Sequence, residues 1–423
     1  MKIAIVGSGI AGNVVAHRLH RAHEITVYEA AGHIGGHTHT HSVEQAGRRY
    51  EVDTGFIVFN ERTYPNFIAL LDELGVASQE SSMSFSVRSE ASGLEYNGAT
   101  LNTLFAQRRN LLRPSFLAMI RDILRFNREA PALLDQPGGE LPLGELLARG
   151  RYGSDFIEHY IVPMGAAIWS TDPDSMLEFP ARLFVRFLHN HGLLTVNDRP
   201  VWRVIRGGSA RYVERLTAPF RQRIRLNTPV EWIRRLPGCV IVKSRGHEAE
   251  RFDAAFLACH GDQALALLND PSETEREVLG SIRFQRNEAV LHTDTRLLPL
   301  RRLAWAAWNY HVLPDRRGPV ARTYNMNILQ RLAAPKPFLV TLNRGDEIDP
   351  SHVIQRISYR HPLFTPASVG AQSRQRELNG AHGTYFCGAW WQNGFHEDGV
   401  VSALRAVTHF EHDHAQRAVH RSA

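Results

Sequence analysis

The chain has 423 residues, 43% of them hydrophobic and 22% charged, with a formal net charge of +6. Those proportions belong to a globular protein and exclude a disordered or fibrous one, and no run approaches the roughly 18 apolar residues of a spanning helix. Three widely spaced cysteines, Cys239, Cys259 and Cys387, with no C-x-x-C pair, exclude a disulfide framework and a zinc-ribbon site and fit a reducing cytoplasm.

This length favours two domains, interleaved or in series. The positive charge is almost all arginine, since only Lys2, Lys243 and Lys336 are lysines. A positive chain favours anionic surfaces, but no nucleic-acid motif, internal repeat or low-complexity linker is present.

The N-terminus reads MKIAIVGSGIAG. Lys2 to Val6 is a β-branched apolar run, Gly7, Gly9 and Gly12 follow in G-x-G-x-x-G spacing, and a helix is expected to His20. Gly7 permits a tight turn, Gly9 lets backbone approach a pyrophosphate, and Gly12 lets the helix pack on the strand. Ile10 and Ala11 then lie at a helix N-terminus that faces the anion. A second strand, Ile25 to Tyr28, ends at Glu29, twenty residues past Gly9 and suited to bond a ribose 2′-hydroxyl. The loop alone does not choose between NAD and FAD.

Gly35 and Gly36 follow in a turn-rich segment, and then the run Tyr50 to Phe56 with Thr54 and Gly55. In these features the sequence resembles the flavin amine oxidase superfamily, which includes protoporphyrinogen oxidase and the phytoene-type desaturases. The resemblance implies that the Gly35/Gly36 pair lies along an FAD diphosphate, with Thr54 and Gly55 on the cofactor side. His37 stands where that superfamily usually has Arg. Four histidines, His33, His37, His39 and His41, fall in one short segment, and alternation predicts His37, His39 and His41 on one side of an extended chain. No nearby Cys or carboxylate completes a metal set, so no metal is assigned.

Thr63 to Leu74 is expected to be a helix with Phe67, Leu70, Leu71 and Leu74 on its apolar face, ended by Gly75. Residues 76–194 carry no nucleotide motif. Within them Leu112, Phe116, Met119, Ile120 and Ile123 form an apolar helical stripe, with Arg121, Arg125 and Arg128 on another face and Arg108, Arg109 and Arg113 just before it. Such a basic amphipathic stretch, residues 108–128, can pack on the protein's own core or lie on an anionic membrane surface.

Further along, Gly207, Gly208, Ser209 and Tyr212 match the superfamily segment that returns the chain to the FAD domain. The run Ile224 to Ile233 matches the strand that follows, which puts Val230 at the adenine. Trp305, Trp308 and Tyr310 could wall a pocket or belong to a packed strand. Lys336, between two prolines, is read as a loop residue and not as the lysine that amine-oxidising relatives hold near the flavin. At the C-terminus, Gly388, Gly394, Glu397, Gly399 and Ser402 fit the superfamily's last motif, with Asp398 in place of Gly and Ala389 in place of Asp. The helix expected over Val400 to Val407 would aim its positive end at flavin N1 and O2.

The expected fold is α/β: a Rossmann-type, glutathione-reductase-like FAD-binding domain from residues 1–75, 200–260 and 367–423, with an interleaved α+β substrate domain from 76–199 and 261–366. The resemblance implies an FAD-dependent oxidoreductase, and within it a bacterial amine-oxidase-like branch associated with fatty-acyl modification. The expected reaction is hydride transfer from a hydrophobic, fatty-acyl or lipid-like substrate to flavin N5, with His396 and Glu397 as candidate proton-moving groups. The alternatives are an amine oxidase with Trp390, Trp391 and Phe395 as an aromatic cage, a flavin-dependent isomerase, and an FAD-holding lipid-binding scaffold without turnover. The expected location is cytoplasmic, with peripheral contact at the inner membrane through residues 108–128; no nucleic-acid partner is expected.

Overall fold

In the computed structural model, residues 1–136, 141–195, 199–314 and 321–422 are described, with side chains to 416. Five strands form a parallel sheet in the order Ile224–Arg225, Glu24–Tyr28, Lys2–Val6, Ala254–Leu257, Thr384–Phe386. Parallel strands are covered on both faces, and the continuous apolar runs of these segments reflect it. Ile3 and Ile5 point to one face and Ala4 and Val6 to the other, as the two-residue period requires.

On the first face lie the helices Ile10–Leu19 and His396–Ser422, whose Val14, Val15, Val400 and Ala403 share a core with Ile3, Ile5 and Phe256. On the second face lies an antiparallel meander, Val230–Leu236, Cys239–Ser244 and Glu250–Phe252. The helices Gly261–Leu267 and Glu273–Gly280 also belong to this side. Their Ala264, Val278 and Leu279 find apolar cover against Val240 and Phe386, and Arg235 of the meander pairs with buried Glu275 (2.9 Å). The chain therefore leaves the nucleotide side near Arg283, later than the residue 261 expected from sequence.

The second domain is a seven-stranded sheet in the order Val353–Leu363, Arg283–His292, Leu339–Leu342, Arg322–Asn325, Trp308–Val312, Phe85–Ser89, Glu95–Asn97. All of its pairs are antiparallel except Trp308–Val312 with Phe85–Ser89. Helices Pro114–Glu129, Leu143–Arg149, Val162–Trp169 and Ala181–Asn190 build a separate aromatic-rich core. A small sheet of Phe59–Asn60, Trp202–Ile205 and Ser78–Glu80 ties together the outgoing and returning chain.

The helix expected from Thr63 runs over Pro65–Glu73, with Pro65 in its first turn where a missing N–H costs nothing. The basic amphipathic stretch is a short 3₁₀ turn, Arg108–Leu112, followed by Pro114–Glu129. Phe116 and Met119 are buried in the helical core with Ile120 and Ile123 packed against it, whereas Leu112 is 88% exposed. Most of the predicted stripe thus faces inward.

Candidate functional site

The glycine loop is built by close approach. Gly7 has φ +102°, and a Cβ there would stand 2.9 Å from the Ala258 carbonyl oxygen; a Cβ on Gly12 would stand 1.9 Å from that of Gly7. Gly9 differs, because among the described residues no atom beyond its own chain neighbours lies within 4 Å of where its Cβ would be. Its face is open, and Gly36 (φ +58°) comes alongside, with its own Cβ position 3.2 Å from Gly9 Cα. The two glycine segments are stitched by the Gly35 amide donating to Ser8 O (3.0 Å).

Glu29 stands at the end of its strand, where its carboxylate accepts from the Ser8 amide (2.8 Å), the Ser8 hydroxyl (2.6 Å) and the Ala31 amide (2.8 Å). The Thr228 amide donates to Glu29 O (2.8 Å), which brings the chain leading to half-buried Val230 beside it. Ser8 escaped the sequence reading because the fingerprint reads only glycines.

The first and last helices begin side by side: a Cβ on Gly399 would stand 2.6 Å from Ile10 Cγ2. The Gly388 amide donates to Ser402 Oγ (2.9 Å), and Val400 is buried in the core behind. The Asp398 carboxylate accepts the Phe395 amide (2.8 Å) at the start of its own helix, and burial pushes its carboxyl up to about 7.

His396 and Glu397 face protein partners. The Glu397 carboxylate accepts from the Asn66 amide (3.0 Å), Asn66 Nδ2 (2.6 Å) and the Phe67 amide (2.8 Å), at the open N-terminus of Pro65–Glu73. His396 stacks on Phe56 (ring centroids 3.6 Å apart), and its Nε2 lies 2.7 Å from Tyr212 Oη and 3.1 Å from Thr38 Oγ1. Burial holds this imidazole well below its ordinary range, so it is neutral. Both side chains join the last helix to neighbouring segments.

The histidine segment divides in two. His33 stacks on His39 (4.0 Å), and the His41 ring lies tilted beside His39 (4.1 Å). His37, expected on their side, turns the other way and stacks on Tyr359 (4.9 Å), near His361 (5.4 Å) and His260 (6.1 Å). The reason is that the extended strand begins only at Thr40, so alternation does not reach back to His37. Burial lowers His37 to about 4, so it does not replace the charge of the usual Arg; its Nε2 has no hydrogen-bond partner. The Gly55 Cβ position is 2.1 Å from His37 O, and Thr54 Oγ1 lies 2.9 Å from Tyr359 Oη. Among the described residues no group of His, Cys, Asp or Glu side chains has a metal-holding arrangement.

Tyr359 belongs to the large sheet, so this loop rests on that sheet's face. The strand register puts His361, Arg322, Tyr324, Trp308 and Tyr310 on the same face. Trp308 meets Tyr324 edge-on at 5.1 Å, and its Nε1 is unpartnered. Trp305 is not beside it: it sits in the turn before the strand, with Nε1 donating to Pro299 O (2.8 Å). Trp390 and Trp391, expected as cage walls, are packed into the core on the second face of the parallel sheet, with Trp390 Nε1 donating to Cys259 O (3.0 Å). They follow directly on strand Thr384–Phe386 and turn back onto the sheet it belongs to. Phe395 is half-buried against Phe187 (5.0 Å), where the two domains touch. Lys336 is exposed, its amide donating to Gln45 Oε1 (2.8 Å).

An open glycine face, a second glycine pressed against it and two helix N-termini side by side lie at the ends of the parallel strands, and the His37 segment links them to Tyr359 of the large sheet. This chemistry fits an extended flavin dinucleotide.

The comparisons with known proteins agree. No curated protein matches the chain by sequence. Among solved structures it is similar to cyclohexylamine oxidase from Brevibacterium oxydans IH-35A (TM-score 0.68, 16% identity, 97% of this chain and 99% of that one). It is also similar to a putative protoporphyrinogen oxidase from Exiguobacterium sp. 255-15 (TM-score 0.66, 19% identity, 97% and 98%). A third similar structure is the CLA-producing fatty acid isomerase from P. acnes (TM-score 0.66, 18% identity, 96% and 98%). At these identities the likeness is one of fold. The family model for flavin containing amine oxidoreductases matches residues 10–325. The chain belongs to that family and is an FAD-dependent oxidoreductase.

Proposed function

We propose that the protein oxidises a hydrophobic, fatty-acyl or other lipid-like substrate held against the large sheet. The observation that carries this reading is the makeup of that face. Phe85, Trp308, Tyr310 and Tyr324 are neighbours across three strands, and no described carboxylate pairs with the guanidinium among them. A cationic amine needs an anion or an uncharged aromatic cage; here it would meet a buried positive charge.

Bound FAD supplies the hydride acceptor, flavin N5. In our reading Gly7, Gly9, Ile10, Ala11, Gly12, Gly35 and Gly36 approach the diphosphate, Glu29 accepts from the ribose, and Val230 meets the adenine. Thr54, Gly55 and His37 line the middle of the cofactor site, and Gly388, Asp398, Gly399 and Val400 receive the ring end. Neutral His37 and His396 add no charge there, and the positive end of the last helix faces the ring. Glu397 fixes Pro65–Glu73 against that helix, and Phe395 helps exclude water at the domain contact.

The test is anaerobic titration of the flavin-loaded protein with fatty-acyl substrates and with alkylamines, followed by flavin absorbance. Bleaching by the fatty-acyl compounds alone is expected. Bleaching by amines alone overturns the reading, and turnover only after photoreduction converts it to an isomerase.

A second surface bears on where such a substrate is met. Leu101, Leu112 and Leu300 are 77%, 88% and 76% exposed, among the exposed arginines Arg108, Arg109, Arg121, Arg301 and Arg302. Within this surface, Leu101 stands on the short helix Leu101–Leu104 and Arg302 on Arg302–Ala304, and these two helices lie against each other. We propose that it rests on an anionic lipid surface, because leucines rimmed by arginines match acyl chains beneath phosphate headgroups. Among the described residues no helix is long and apolar enough to cross a membrane.

A further inference from the structure

Arg322 is the most unusual charged group of the protein. Its residue is 3% exposed, and it stands in a central strand of the large sheet with Tyr310 opposite in register. The guanidinium carbon lies 5.1 Å from the Trp308 ring centroid and 4.5 Å from that of Tyr324. Nη2 donates to Ser170 Oγ at 2.9 Å, while Nε and Nη1 have no hydrogen-bond partner among the described residues. Elsewhere in the protein, buried arginine is matched: Arg235 meets Glu275, and Arg344 meets Glu90 at 3.1 Å. Asp172, two residues past Ser170, is committed to the Ser175 amide (2.8 Å) at the start of Pro173–Leu177.

A guanidinium stays charged in a protein interior, and an uncompensated buried charge is among the costliest arrangements a fold can hold. Burial works against its charged form here. The surroundings are nevertheless built around it. Ser170 ends the helix Val162–Trp169 in a left-handed conformation (φ 55°), uncommon for a residue with a side chain, and from there its hydroxyl meets Nη2. The aromatic pair fixes the plane of the fork. Arg322 also shares its sheet face with Tyr359 and His361, the residues that meet the His37 loop, and its charge is one of the influences holding His361 neutral. A local rule is broken beside the proposed cofactor site, which is where such violations mark function.

The geometry points to Arg322 as the anchor for a substrate carboxylate, with the second N–H of Nη2 and the neighbouring Nη1 or Nε donating to its two oxygens and Ser170 steadying the fork. This inference rests on the reading that the large sheet's face holds the substrate, and it narrows that reading to hydrophobic acids. A planar carboxylate matches the planar fork, and the desolvated, aromatic-walled setting strengthens the pair. The acid end would be fixed at Trp308 and Tyr324 while the chain runs along the apolar face toward the cofactor site.

The experiment measures binding of decanoate, decan-1-ol and decylamine to the flavin-loaded protein, from the perturbation of flavin absorbance and from tryptophan fluorescence. Decanoate is expected to bind at least about tenfold more tightly than decan-1-ol, and decylamine more weakly than either. Arg322→Met is expected to erase the decanoate preference while changing decan-1-ol binding by less than about threefold, and Arg322→Lys to restore part of it. If Arg322→Met does not fold, Ser170→Ala is expected to reduce the preference by about threefold. Equal binding of decanoate and decan-1-ol by the wild type overturns the anchor and leaves the hydrophobic site standing. A preference that survives Arg322→Met also overturns it, as does loss of bound flavin from that variant with ligand preference intact. Binding of none of the three overturns the hydrophobic reading and the anchor with it.

Discussion

The Asp53 carboxylate grips Ser209 three times, accepting its hydroxyl at 2.7 Å and its amide at 2.9 and 3.1 Å. It also accepts Thr40 Oγ1 (2.6 Å) and Gln330 Nε2 (3.0 Å). One buried side chain thus joins the outgoing chain, the returning chain and the segment that follows strand Arg322–Asn325 of the large sheet. Asp53→Ala leaves these donors buried and unmatched, and is expected to lower stability by about 2–4 kcal/mol in urea titrations. It should weaken flavin retention as well, because Gly208 and Tyr212 lie on the segment it holds.

The two loop glycines should separate folding from cofactor binding. Gly12→Ala forces a Cβ to 1.9 Å from Gly7 O, so it is expected to yield little folded protein. Gly9→Ala meets no described atom beyond its own chain neighbours within 4 Å and should melt like the wild type without cofactor. If Gly9 borders the diphosphate, that variant loses flavin on gel filtration; full retention contradicts the assignment.

Glu397 offers a direct choice between capping and proton transfer. As a cap it stabilises Pro65–Glu73, so Glu397→Ala should cost about 1–2 kcal/mol and speed amide exchange in that helix. Glu397→Gln keeps one acceptor oxygen and should lose less stability and retain turnover. Full stability with abolished turnover would assign Glu397 to the chemistry.

The buried carboxyls make stability depend on pH with a definite sign. Burial raises Asp398 from its ordinary 3.8 to about 7 and Asp53 to about 6. The folded protein therefore holds protons that the unfolded chain has released, and their contribution, complete below about 4, is lost as pH rises through 6 and 7. Buried imidazoles act oppositely: His37, lowered from 6.5 to about 4, favours unfolding as pH falls below 6.5. Asp398→Asn removes one acidic contribution, so its Tm relative to wild type should climb between pH 5 and 8. A constant difference would show that Asp398 does not titrate there.

The leucine patch predicts flotation with phosphatidylglycerol vesicles at low salt, weakened by raised salt as arginine contacts are screened. Leu112→Glu and Leu300→Glu should each reduce it severalfold without affecting the melting temperature. No flotation of the wild type at low salt removes the membrane reading.

What could be read in the sequence was whatever local stereochemistry dictates. Gly7, Gly9 and Gly12 are constrained by their immediate turn, and Glu29 by its place at a strand end, so the nucleotide fold was legible in the chain, while FAD over NAD came from the resemblance to the flavin amine oxidase superfamily. The amphipathic period likewise marked Phe116 and Met119 as inward-facing. Trp390, Trp391 and Trp305 could be read as pocket walls or as packing, because a hydrophobic side chain announces burial but not which face of which sheet receives it.

The sequence by itself determined a dinucleotide fold with a flavin-family signature, because those signals depend on residues close together in the chain. Only the tertiary structure decided which groups far apart in the chain meet. It brought Asp53 to Ser209, Thr54 to Tyr359 and Ser170 to Arg322, separated by 156, 305 and 152 positions. Such pairs leave no periodic trace, since their distance is set by sheet register and domain packing, and an unpaired buried charge becomes visible only once every neighbour that might have matched it has a position.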